Sequence, residues 1–368
     1  MFKKSIYILL NTLILLFVLD NILFFYHEDN AESKSIVFRH SSNMNYLDKP
    51  SKSYIQNSNK TLNKEFNEFR TSPEGFILPA GGVPENESKC SLIFLGGSST
   101  ENRWVPEKKR WPTLVGDKLF LKGLKINTKN YGVGGQNLHQ ASLKYLAYIS
   151  EEKPDYIFIM HEANDLSKFF KGGYNVREGS LHNSYDVSEN RINFKTRLNN
   201  VLVNLFPFSY RSYKAIVNEN FYQGSERLKS KEYIGLEPIQ AAEAFFLRIS
   251  IIYEIVKANN GKVFLIEYPE IYKNVLFGSN ELNKNVKLKL IKELNNNGLS
   301  KSEFLDYVLK FRMHLYSKIQ ESNISLIKFD QDFLEKHFYD AIHFNEEGAD
   351  YFSSLLATKI FNKVECKN

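Results

Sequence analysis

Four short polar stretches of this chain carry the residue types that acyl transfer needs. They are Gly96-Gly97-Ser98, Asn130-Tyr131-Gly132-Val133-Gly134-Gly135, Ala163-Asn164-Asp165 and Asp340-Ala341-Ile342-His343. A serine hydroxyl attacks an ester carbonyl only as its proton leaves, so it needs a base. The base in turn needs a carboxylate to orient it and to stabilise its charge. N–H donors must already point to where the tetrahedral oxyanion will form. Ser98 supplies the nucleophile, His343 the base and Asp340 the orienting carboxylate. The donors would be the Ser98 amide, the Gly135 amide and the Asn164 side chain. Each stretch alone has an ordinary reading: Gly-Gly-Ser as a loop, Asn-Asp as a turn, Asp-x-x-His as a surface segment. It is their joint occurrence that points to chemistry.

Their placement requires elements that end beside one another. Leu92 to Leu95 is an unbroken apolar run that reads as a buried strand stopping at Gly96. Lys125–Tyr131, Tyr156–Met160, Lys262–Glu267 and Ile324–Phe329 read as four more strands. Helical spacing falls on Trp111–Leu121, Gln136–Ser150, Ile239–Asn259, Glu303–Gln320 and Glu346–Phe361. Strands alternating with helices predict an α/β fold with a roughly five-stranded parallel sheet between two helical layers. In such a sheet all strand ends fall on one edge, and so do the four polar stretches. The α/β-hydrolase elbow G-x-S-x-G is absent, since Thr100 stands where its second glycine would be.

The N-terminus adds a location. Lys3 and Lys4 precede an apolar run from Ser5 to Tyr26, followed by Glu28 and Asp29. At about 1.5 Å per residue these roughly 22 residues span a bilayer core. Asp20 lies near the far end, within reach of the interface. The lysines hold residues 1–4 in the cytoplasm, residues 5–26 are expected as an uncleaved anchor, and the rest is expected outside. Residues 27–89 are rich in Ser, Asn and Lys and read as a polar stem with an extended lead-in over Phe66–Pro79. The body is expected over 90–368. It carries an irregular insertion at 166–235 with a helix over Arg191–Phe206. Phe169, Phe170, Tyr174 and Tyr185 of this insertion either stack on sugar rings or simply pack.

Composition excludes other classes. Of 368 residues 43% are hydrophobic, enough for a large core and against global disorder. The net charge of +6 comes from lysines spread along the chain. No zinc spacing, phosphate-binding loop or nucleic-acid motif is present, so no metal, cofactor or nucleic acid is expected.

In order and separation the four stretches resemble blocks I, II, III and V of the SGNH (GDSL-type) hydrolase superfamily, over about residues 90 to 362. The resemblance implies Ser98 as nucleophile, Gly135 and Asn164 as oxyanion residues, and Asp340 and His343 as the Asp-x-x-His pair. Two positions depart from the pattern: Gly97 replaces the block I aspartate, and Glu162 replaces the glycine that opens block III. Gly-Gly-Ser-(Ser/Thr)-Thr is familiar in membrane-anchored relatives. His139, His161 and His337 lie near the motifs, but none has an aspartate three residues before it; His161, beside block III, is the strongest rival base. The resemblance implies an extracytoplasmic serine esterase or O-acyltransferase acting on acetyl groups of a surface polysaccharide or cell-wall glycan, with polysaccharide-assembly proteins as partners. A lipase or thioesterase on membrane acyl chains is the second expectation, and an inactive glycan-binding protein the third.

Cys90 and Cys366 add a test of topology. Cys90 opens the first strand, opposite the catalytic edge, and the last helix runs back from that edge. The two thiols are therefore expected close together, and in an oxidising compartment they can form a disulfide.

Overall fold

The computed structural model describes residues 40–56, 58–170, 173–174, 235–278, 284–331 and 333–366. All of them belong to one unit, residues 37–177 with 231–368. The expected anchor at 5–26, the helix over 191–206 and most of the insertion lie outside the described residues. Among the described residues, no helix is long and apolar enough to cross a membrane.

The organising strand is β4 (Cys90–Gly96), in which Leu92, Ile93, Phe94 and Leu95 have no solvent exposure. Each such side chain contributes about 1.5–3 kcal/mol of burial. A strand covered on both faces favours apolar residues along its whole length, which explains the unbroken run. Parallel partners flank it: β5 (Ile126–Asn130) on one side and β6 (Tyr156–Met160) on the other. Next come β7 (Lys262–Ile266) and β8 (Ser325–Ile327), also parallel.

A sixth strand corrects the five expected. β3 (Ile77–Gly82) pairs antiparallel with β5 and closes that edge, giving the order β3-β5-β4-β6-β7-β8. Its sequence, ILPAGG, hides it: proline and two glycines read as a lead-in, yet proline is tolerated on an edge strand. The polar stem is corrected too. β1 (Asn45–Asp48) pairs with β2 (Asn67–Arg70) in a separate two-stranded sheet. The Asn59 side chain donates to the Phe338 carbonyl at 2.7 Å, and His40 Nε2 donates to the Gly132 carbonyl at 3.1 Å. From residue 40 onward, the lead-in packs against the segments that carry the polar motifs.

Helices form two groups. α2 (Trp111–Leu121) packs with α9 (Glu346–Phe361), with Trp111 edge-on to Phe94 and Phe352. α5 (Pro238–Ala258) packs with α3 (Leu138–Lys144) and α8 (Lys301–Gln320). This is an α/β fold on a mostly parallel sheet. Between β7 and α8, where no helix was expected, lie α6 (Tyr272–Phe277) and α7 (Lys284–Asn296). Cys90 and Cys366 are joined as a disulfide, with Cα atoms 5.4 Å apart.

Candidate active site

Where β4 stops, Gly97 turns the chain into the single-turn helix α1 (Ser98–Glu101), so Ser98 stands at the sheet rim. Its neighbours are fixed from below. The Ser99 hydroxyl lies 2.5 Å from the Tyr268 hydroxyl, and Trp111 Nε1 donates to the Ser99 carbonyl at 2.8 Å.

The loop after β8 brings the other two groups to the same place. His343 Nε2 lies 2.6 Å from Ser98 Oγ, and His343 Nδ1 lies 2.7 Å from Asp340 Oδ2. The second carboxylate oxygen of Asp340 accepts from the backbone N–H of Ile342 at 2.9 Å and of His343 at 2.8 Å. One carboxylate thus holds both the ring and the turn that presents it. Burial works against the Asp340 charge, but the His343 ring and these two N–H groups outweigh it and hold the carboxyl below its usual range. The Tyr339 ring stacks on the imidazole, with centroids 5.5 Å apart and planes 8° from parallel.

The donor side is assembled from two further strand ends. β6 leads into α4 (Ala163–Phe169), which carries Asn164; its Nδ2 donates to the Gln136 carbonyl at 2.9 Å. Gly135 turns the loop after β5 at φ +75°, a conformation that disfavours other residues, and a Cβ there would meet nothing within 4 Å. Gly97 has the opposite reason: a Cβ would stand 2.7 Å from Asn164 Nδ2. The departure from the usual block I aspartate therefore makes room for the Asn164 amide.

The second departure, Glu162, is buried and binds Arg312 of α8 through both oxygens, at 2.8 and 2.6 Å. Arg312 also reaches Glu270 Oε1 at 3.3 Å and the Tyr268 carbonyl at 3.2 Å. Glu162 is a tie between the end of β6 and α8. Sequence reading missed Arg312 because an arginine on a helix surface reads as solvated. His161 is buried, its Nδ1 lies 3.7 Å from Asp165 Oδ2, and burial pushes its pKa down to about 3. His337 stacks on Tyr351 and His139 lies beside Tyr174. Of the histidines named near the motifs, His343 alone bonds to Ser98.

A cavity of about 1020 Å³ opens at Ser98, His343 and Asn164. Its apolar lining includes Leu166, Phe170, Val286, Leu290, Leu294 and Phe304, and Lys289, Glu293 and Asn297 add polar groups. Phe169 is fully buried against Phe311, and Tyr174 bonds Asp165 at 2.5 Å. Neither is free to stack on a sugar, and Tyr185 lies outside the described residues.

A serine, histidine and carboxylate in hydrogen-bonded sequence at the edge of a parallel sheet are the parts of a serine hydrolase. A family profile described as GDSL-like Lipase/Acylhydrolase matches residues 92–224, which include Ser98, Gly135 and Asn164. The profile spans less than half of the chain, and over that stretch the chain is similar to the SGNH (GDSL-type) hydrolases, as the four motifs imply. It is 28% identical over 97 residues to the uncharacterized lipoprotein YqeF of Bacillus subtilis (strain 168), a match over 26% of this chain and 39% of that protein. Among solved structures it is similar to a GDSL-like lipase from Bacteroides thetaiotaomicron, at 13% identity and a TM-score of 0.37, covering 76% of this chain and 92% of the other. An acetyl xylan esterase is similar at 14% identity and a TM-score of 0.34, covering 73% and 99%.

Proposed function

We propose that the chain is an extracytoplasmic, membrane-anchored serine esterase that removes or transfers O-acetyl groups on a surface polysaccharide or cell-wall glycan. The observation that carries the esterase reading is the hydrogen-bonded line from Ser98 Oγ through His343 to Asp340. His343 Nε2 takes the hydroxyl proton as Ser98 Oγ bonds to the ester carbon, and Asp340 stabilises the imidazolium that forms. The Ser98 amide, the Gly135 amide and Asn164 Nδ2 receive the oxyanion. The proton passes from His343 to the leaving sugar oxygen, leaving an acyl-serine. Water gives hydrolysis; a second sugar hydroxyl gives transfer. The location rests on the apolar segment 5–26, expected as an anchor with the N-terminus in the cytoplasm, on the disulfide, which suits an oxidising compartment, and on the lipoprotein name of the Bacillus relative.

The size and apolar lining of the cavity favour a second reading, a lipase or thioesterase that seats a longer acyl chain among Leu166, Phe170, Leu290, Leu294 and Phe304. One assay compares p-nitrophenyl acetate with p-nitrophenyl palmitate, for the full chain and Ser98→Ala. Acetate turnover lost in the variant is the expected result. Preference for palmitate moves the substrate to membrane acyl chains, and equal rates in both proteins remove the nucleophile assignment.

A further inference from the structure

Lys144, the last residue of α3, has no solvent exposure and forms no ion pair within 4.0 Å among the described residues. A buried ammonium without a carboxylate partner is costly and is seldom kept without a use. Its Nζ donates to the Gln136 side-chain oxygen at 2.6 Å and to the Tyr131 carbonyl. These acceptors stand at the two ends of the loop that carries Gly135. The backbone carbonyl of the same Gln136 accepts from Asn164 Nδ2 at 2.9 Å. Directly after Lys144 the helix widens into a π-turn over Tyr145–Ile149, a distortion frequent at functional sites.

We propose that Lys144 is a positioning residue for the oxyanion site: it clamps both ends of the 131–136 loop and through Gln136 sets the places of the Gly135 amide and the Asn164 side chain. The role rests on the esterase reading above. What the loop requires is N–H donors, and both the ammonium and the neutral amine supply them. Glu101 of α1 and His161 at the end of β6 are the titratable groups whose charges are felt here. Burial pushes the Lys144 pKa down to about 7, with Glu101 acting in the opposite direction. The neutral form is therefore accessible without loss of the donors.

Lys144→Met keeps the length and the burial but removes every donor. Loss of an oxyanion donor costs about 10²–10³ in kcat, so a displaced one is expected to lower kcat about 10- to 100-fold. KM for p-nitrophenyl acetate should stay within about threefold, and Tm should fall modestly, because two buried acceptors lose their donor while a buried charge is removed. Asn164→Ala and the double variant complete a cycle. If Lys144 acts through these donors, its effect on kcat largely disappears in the Asn164→Ala background. A purely structural role would multiply the two effects on kcat, and that overturns the proposal, as does a kcat within about threefold of the native protein. Gln136→Met, which keeps the lysine and its bond to Tyr131, is the alternative variant should Lys144→Met fail to fold. It is expected to show the same kcat-only loss, and unchanged kcat in it also overturns the proposal. Crystal structures of the native protein and the variant give a readout without turnover. The Gln136 carbonyl should move off Asn164 Nδ2 in the variant, and an unmoved loop contradicts the role of Lys144 even if the native protein hydrolyses no ester.

Discussion

Asp340 divides its two oxygens between different tasks, one holding the His343 ring and the other the backbone turn that presents it. Asp340→Asn keeps the shape but removes the charge and favours the wrong tautomer, so kcat is expected to fall about 10³–10⁴-fold with KM little changed. The same substitution has a pH signature. The folded-state pKa of Asp340 is depressed, so its contribution to stability is present above the ordinary carboxylate pKa and is lost as pH falls through the folded value. In urea unfolding, the stability gap between native protein and Asp340→Asn should narrow steadily below about pH 4. A gap that stays constant down to pH 2 contradicts the assignment. Ser98, Asp340 and His343 could be read from the sequence because each is a polar residue set in a short motif beside a strand. Lys144 and Arg312 could not: a long cation on a helix reads as solvated, and only the packed structure shows Lys144 buried and Arg312 partly buried against Glu162.

At the scale of elements, the sheet was legible wherever burial on both faces forces continuous apolar runs, as in β4 and β6. It was not legible at its edge, where β3 pairs on one side only and tolerates proline and glycine. α7 was missed for a different reason. Val286, Leu290 and Leu294 recur at helical spacing, but the asparagines and lysines between them dominate the composition. This helix forms a wall of the cavity, so the miss concealed part of its apolar lining. The tie between β6 and α8 belongs to the same scale. Arg312→Met leaves the Glu162 carboxylate buried without its partner and should destabilise the fold by about 3 kcal/mol, while Glu162→Gln with Arg312→Met costs less. Urea unfolding of the two variants checks this, and equal losses would mean that the pair is not the source of the cost.

Across the whole molecule, the disulfide joins the start of the first central strand to the C-terminal segment, 276 residues apart. It followed from topology, because the last helix must run back from the catalytic edge to the edge where β4 begins. Closing so long a loop constrains the unfolded chain, and reduction should lower stability by about 2–5 kcal/mol. Mass measured without reductant on protein from an oxidising compartment should lie two hydrogens below the reduced chain. Two free thiols would contradict the pairing. The stem shows the converse error: residues 40–64 have a polar composition but pack on the body, because Asn59 and its neighbours find backbone acceptors there. Composition alone does not distinguish a polar tether from a polar segment with partners.

The central claim is that Ser98 is activated by His343, and covalent labelling tests it most directly. A fluorophosphonate reacts with a serine only where a base and oxyanion donors are in place. Incubated with the full chain and followed by peptide mass spectrometry, it should leave one adduct, on Ser98. That adduct should be absent in Ser98→Ala and nearly abolished in His343→Ala. An adduct on another serine, or equal labelling of Ser98 with and without His343, would contradict the account.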